Sequence, residues 1–134
     1  MIVLDTNIVL DLFVFDDVAA APLRTSLEAR TLQWLATSLM REELQRVLGY
    51  HQVVPNLTKR QRTAEGVLAH FDRLAQWREP APHAGVRCRD RDDQCFIDLA
   101  VAHRALLLSK DRAVLGLAKR LHAHGVYVGS SLPL

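Results

Sequence analysis

The chain reads as an α/β protein built on a parallel sheet. Two observations predict this. The runs Ile2-Val3-Leu4 and Ala105-Leu106-Leu107-Leu108 are apolar throughout, with none of the polar alternation of a half-solvated strand. Between and around them lie segments with apolar residues at three- and four-residue steps, the spacing of amphipathic helices. Strands alternating with helices connect in parallel, through right-handed crossovers.

Residues 2–5 form the first buried strand. Asn7 to Phe15 follows as a helix, with Ile8, Leu12 and Phe15 on one side and Asp16-Asp17 at its end. Pro22 suits the first turn of a second helix running toward Ala29. Thr31 to Ala36 is a second strand. Thr37 or Ser38 caps the next helix, and Glu42, four residues past Ser38, comes close to a capping box. That helix carries Leu39, Glu43, Leu44 and Val47-Leu48, and Gly49 stops it. Pro55-Asn56-Leu57-Thr58 reads as a turn with a cap. A long helix is expected from about Lys59 to Trp77, broken by Pro80 and Pro82. Val86 to Cys88 reads as a short edge strand, and Asp90 caps a helix from about Arg91 to His103. Ala105 to Ser109 is the clearest buried strand. Asp111 caps a helix through Leu115, Leu117-Ala118 and Leu121. Gly125 ends it before a last strand, Val126-Tyr127-Val128.

The length of 134 residues suits one domain, 1–134, and 49% hydrophobic residues supply a real core. No run of eighteen apolar residues is present, so no spanning helix is expected. The opening Met1-Ile2-Val3-Leu4-Asp5 lacks a basic segment and meets an acid at once, which does not read as a signal peptide, so a cytoplasmic location is the expectation. Cys88 and Cys95 have neither the number of a disulfide framework nor the spacing of a zinc pair, and read as reduced thiols, one or both packed in the core. With 17 basic and 15 acidic residues the net charge is only +2, so distribution matters more than total. Lys59-Arg60-Gln61-Arg62 is a basic cluster, and Arg87, Arg89 and Arg91 flank a run of acids. Each is an ordinary solvated face or a phosphate contact.

Four acids fall at informative places. Asp5 and Asp111 follow strand ends, Glu43 lies one to two turns into the helix after the second strand, and Asp93 is in the first turn of the helix before the fourth. In an open parallel sheet, ligands sit off the carboxyl ends of the strands, so all four can face one edge. Each alone has a plainer role: Asp5, Asp90 and Asp111 as caps, Asp93 in a favourable helix dipole, Glu43 in solvent. Together their charges repel unless a cation holds them, and oxygen donors suit Mg²⁺ or Mn²⁺. Asp90, Asp92, Asp93 and Asp98 crowd one segment; Asp93 is preferred because it shares a helical face with Ile97 and Ala100, with Asp98 nearly opposite.

Asp5-Thr6-Asn7 after an apolar strand resembles the opening of the PIN domain family. The segment Ser38 to Leu44 resembles the part that supplies its helical Glu. The run Asp90-Arg91-Asp92-Asp93-Gln94-Cys95-Phe96-Ile97-Asp98-Leu99-Ala100 resembles its acid-rich helix start, and Leu107-Leu108-Ser109-Lys110-Asp111 its final motif. The resemblance implies a three-layer α/β/α sandwich with strand order 3-2-1-4-5 and Mg²⁺- or Mn²⁺-dependent RNA cleavage. It carries over Asp5, Glu43, Asp93 and Asp111 as metal-site acids, with Asn7, Ser109 and Thr6 as supporting polar groups. It implies RNA as substrate; the locally clustered basic residues Arg87, Arg89, Lys59, Arg60 and Arg62 are then the candidates to hold its backbone. It also implies the toxin of a type II toxin–antitoxin pair, with a cognate antitoxin and a homodimer as partners. The alternative is a PIN-like module that has lost catalysis and grips RNA or protein. A phosphohydrolase of the haloacid-dehalogenase type needs a second Asp two residues after the first, where this chain has Asn7.

Overall fold

A computed structural model describes residues 1–133, so the last residue of the expected 1–134 domain lies outside the described residues. The chain runs β1 (Ile2–Leu4), α1 (Thr6–Phe13), a 3₁₀ turn, α2 (Ala21–Glu28), β2 (Trp34–Ala36), α3 (Ser38–Val47), α4 (Val54–Lys59) and α5 (Ala64–Leu74). Then come β3 (Ala75–Trp77), a 3₁₀ turn at Arg91–Asp93, α6 (Gln94–His103), β4 (Leu106–Leu108), α7 (Arg112–Leu115), α8 (Ala118–His122) and β5 (Val128–Gly129). All pairings are parallel and the sheet order is β3-β2-β1-β4-β5, as expected. Right-handed crossovers place α1–α5 on one face and α6–α8 on the other. Accordingly α3 touches α1 and α5, Phe13 of α1 stacks on His70 of α5, and α6 packs on β1 and β4. The result is a three-layer α/β/α sandwich.

The strands are short because each needs only enough length to cross the core. Ile2, Val3 and Leu4 are all but fully buried, as are Trp34, Leu35 and Ala36 and, in β4, Leu107 and Leu108. Trp34 is a core residue: its ring meets Phe71 edge-on at 4.8 Å and lies nearly parallel to Phe13 at 6.4 Å. Trp77, Tyr50 and Tyr127 keep exposed rings.

Four local expectations are corrected. The helix expected over 59–77 is two helices and a strand. Pro55 sits in the first turn of α4, where its missing N–H costs nothing, so the expected turn is a helix start. Arg60 and Gln61 leave that helix, Gln61 with a positive φ of 55°, and Thr63 caps α5 by accepting from Gly66 N at 3.0 Å. The apolar spacing Val67, Leu68, Phe71, Leu74 ends at Leu74. Ala75-Gln76-Trp77 then pairs with Trp34-Leu35-Ala36, and Arg78 N extends the ladder to Ala36 O at 2.9 Å.

The expected edge strand at Val86–Cys88 is not one. Its backbone groups are met by a side chain instead: Gln94 Nε2 donates to Val86 O at 2.8 Å, and Gln94 Oε1 accepts from Cys88 N at 2.7 Å. Asp98 helps, accepting from Ala84 N and from Gln94 Nε2, both at 2.9 Å. The last strand is Val128–Gly129, two residues later than the apolar run suggests, because the chain turns over 123–125 with Gly125 at φ 78° and Val126 N still donates back to Leu121 O at 3.0 Å.

Candidate metal centre

The acids converge at the carboxyl edge of the sheet. Asp5 follows β1 directly, is 4% exposed, and caps α1 with Oδ1 accepting from Thr6 N at 2.6 Å. Its Oδ2 accepts from Ser109 Oγ at 2.6 Å, from the level just past β4. Ser109 Oγ in turn accepts from Asp111 N at 3.0 Å, so one hydroxyl ties the ends of β1 and β4 together. Asp111 caps α7, accepting from Ala113 N at 2.8 Å. Glu43, on α3, accepts a hydrogen bond from the Thr6 hydroxyl. Asn7 Oδ1 accepts from Lys110 N at 3.2 Å, and Lys110 Nζ pairs with the largely buried Asp11 carboxylate at 2.7 Å. The loop carrying Ser109 and Asp111 is thus laced to α1.

Asp93 is 6% exposed and its Oδ2 meets no donor. Oxygen atoms of Asp90, Asp93 and Asp111 all lie within 4.8 Å of one another. Burial, then the nearby charge of Asp5, then Asp111 and Asp90, pushes the Asp93 carboxyl up to about 8. Burial raises Asp5 to about 6 against the hydrogen bonds from Ser109 and Thr6, with Glu43 and Asp111 adding repulsion. These are groups crowded into a place that disfavours their own charge. The Cys95 thiol beside them is pushed up to about 12 by burial and by Glu43, Asp5 and Asp93, so it stays protonated. Cys88 is buried, and neither cysteine is in a disulfide.

Asp5, Glu43, Asp93 and Asp111 therefore gather with Thr6, Asn7 and Ser109, and the tightest trio also contains Asp90. Sequence reasoning treated Asp90 as a cap, which it is: its Oδ1 accepts from Asp92 N at 3.0 Å. Nothing local signals that the same carboxylate also faces Asp111 across the fold. Arg46, one turn after Glu43 on α3, interacts chiefly with Tyr50 and lies within electrostatic reach of Glu43 and Asp92.

The basic candidates divide. Arg87 and Arg89 are exposed and alternate with buried Val86 and Cys88 along the segment that ends at Asp90. Lys59 and Arg60 are exposed at the end of α4. Arg62 is engaged at the far end of α1, donating to Phe13 O at 2.9 Å and pairing with Asp16.

The donors fit a hard divalent cation. They are carboxylate oxygens, and one, Asp93 Oδ2, is buried with no protein partner. Asp93 and Asp111, with Asp90 or Asp5 beside them, would hold such an ion.

A family model described as PIN domain matches residues 1–113 of the 134. A comparison with curated proteins finds no match. On the matched length, the sheet order and the acidic cluster, the chain belongs to the PIN domain family, whose members are generally metal-dependent nucleases.

Proposed function

We propose that the protein is a Mg²⁺- or Mn²⁺-dependent endoribonuclease that hydrolyses RNA phosphodiester bonds, as the toxin of a type II toxin–antitoxin pair. The observation that carries this reading is the buried, donor-less Asp93 carboxylate oxygen beside Asp90 and Asp111, with Asp5 within electrostatic reach. A bound divalent ion would lower the pKa of a water and offset charge on the phosphate. Asp5, Asp93 and Asp111 are the proposed ligands. Glu43, held by the Thr6 hydroxyl, orients a water or ligates directly. Ser109 and Asn7 fix Asp5 and the 109–111 loop. Arg87 and Arg89 grip the RNA backbone beside the acids, with Lys59 and Arg60 as further candidates and Arg62 one only where it gives up its contacts with Phe13 and Asp16. The proposed setting is a single cytoplasmic domain, 1–134, with an antitoxin and a second copy of the chain as partners; among the described residues no helix is long and apolar enough to cross a membrane.

The test is cleavage of single-stranded RNA by purified protein with Mn²⁺, with Mg²⁺ and with chelator. Cleavage should require metal and vanish in Asp5→Asn, while circular dichroism stays that of the wild type. Metal-independent cleavage, or equal cleavage by the variant, removes the assignment. Metal binding without cleavage favours a binding module.

A further inference from the structure

Among the described residues, two buried side-chain polar atoms lack a hydrogen-bond partner: Asp93 Oδ2 and Thr37 Oγ1. The first belongs to the metal centre. The second is unexplained by the fold. Thr37 is the N-cap residue of α3, yet its side chain makes no capping bond, the one role that position favours. It is 2% exposed. A buried hydroxyl without a partner is destabilising, so one that persists calls for an explanation.

Its place supplies one. Ile2 is opposite Trp34 in β2 and opposite Leu106 in β4. Carrying both registers three residues on sets Thr37 and Ser109 on either side of Asp5. Equal steps along parallel neighbours put these side chains on one side of the sheet. Ser109 uses its hydroxyl on Asp5 directly. Backbones of neighbouring strands run about 4.8 Å apart, so Thr37 occupies the position beside Asp5 from which a bridging water can be held. Small divalent cations such as Mg²⁺ keep several waters, which need partners of their own.

We propose that Thr37 is a positioning residue of the metal centre, its hydroxyl holding a water of the cation's hydration shell beside Asp5. This rests on the reading of the site as a metal centre. The hydroxyl can accept from that water while directing its own proton to a neighbouring oxygen.

The experiment compares wild type, Thr37→Val and Thr37→Ser by Mn²⁺ calorimetry and by thermal unfolding of the metal-free protein. Valine keeps the shape and removes the hydroxyl. The metal-free midpoint of T37V should equal or exceed that of wild type, because an unpartnered buried hydroxyl is lost. Its Mn²⁺ affinity should fall about tenfold or more, the usual effect of removing an outer partner of a metal site. T37S should stay within about threefold of wild type, on the same argument. Wild-type Mn²⁺ affinity in T37V overturns the proposal. A lowered metal-free midpoint in T37V also overturns it, since the hydroxyl then serves the fold. Absence of Mn²⁺ binding by the wild type overturns the metal-centre reading, and this proposal with it.

Discussion

Asp93 is where the fold most resists a negative charge. A carboxyl whose folded pKa is raised binds its proton more tightly folded than unfolded. The stability this gives is full below the unfolded value, 3.8, and is lost as pH rises through the folded value. With Asp5 at about 6 and Asp93 at about 8, the metal-free protein should lose stability steadily from about pH 4 to pH 8. Asparagine at 93 mimics the protonated acid. Asp93→Asn should therefore melt higher than wild type at pH 8, converge with it near pH 4, and cleave no RNA. Each kcal/mol is worth about 2–5 °C in a domain of this size, so several degrees are expected. Differential scanning calorimetry across the pH range decides this; matching midpoints at pH 8 contradict it. Among single residues, Asp5, Glu43, Asp93 and Asp111 were legible in the sequence from their places near the ends of strands and the starts of helices. Asp90 was not, because it already has a complete local description as a cap; Thr37 occupies a cap position in the sequence, and only the structure shows that its hydroxyl makes no capping bond.

At the scale of elements, the site depends on two sets of ties across the fold. Gln94, at the start of α6, substitutes its amide for a missing strand neighbour of Val86 and Cys88. Gln94→Ala should cost about 2–3 kcal/mol through the groups left unpaired, measured by urea unfolding. It should also weaken Mn²⁺ binding, since the segment delivering Asp90 and Asp93 loosens; unchanged stability would show that the loop holds itself. The second tie is Lys110 to Asp11. Lys110→Met leaves a largely buried carboxylate alone and should cost on the order of 1 kcal/mol, reduced because the lysine is half-exposed. Adding Asp11→Asn should recover most of that loss in a double-mutant cycle, and purely additive effects would refute the coupling. These ties mark the limit of local pattern. Val86-Arg87-Cys88 alternates as a strand does, and only its hydrogen-bond partner distinguishes it from one. The apolar spacing through Leu74-Ala75 likewise continues a helix on paper, while β2 has an open edge that claims Ala75 to Trp77.

For the whole molecule, topology does the work that no single segment shows. Order 3-2-1-4-5 sets β1 beside β4, so residues 104 positions apart share the hydrogen bond between Ser109 and Asp5. That order, the layers and the core strands were readable from apolar patterning and the family resemblance. The contacts among acids were not, because they depend on side-chain reach across the edge of the sheet. With a net charge of only +2, the proposed RNA binding depends on local placement of basic groups. Arg87→Ala with Arg89→Ala should lower the slope of log affinity against log salt by about 1.4, the value for two contacts to single-stranded RNA. The variant, assayed by filter binding, should keep its Mn²⁺ affinity; an unchanged slope removes these arginines from the RNA path.

The central claim is that this edge of the sheet captures a divalent ion. A crystal structure of the Mn²⁺-soaked protein, with anomalous scattering recorded for manganese, tests it most directly. An anomalous peak bonded to Asp93 and Asp111, with Asp5 or Asp90 completing the protein ligands, is the predicted result. A peak elsewhere, or none at saturating Mn²⁺, contradicts the account.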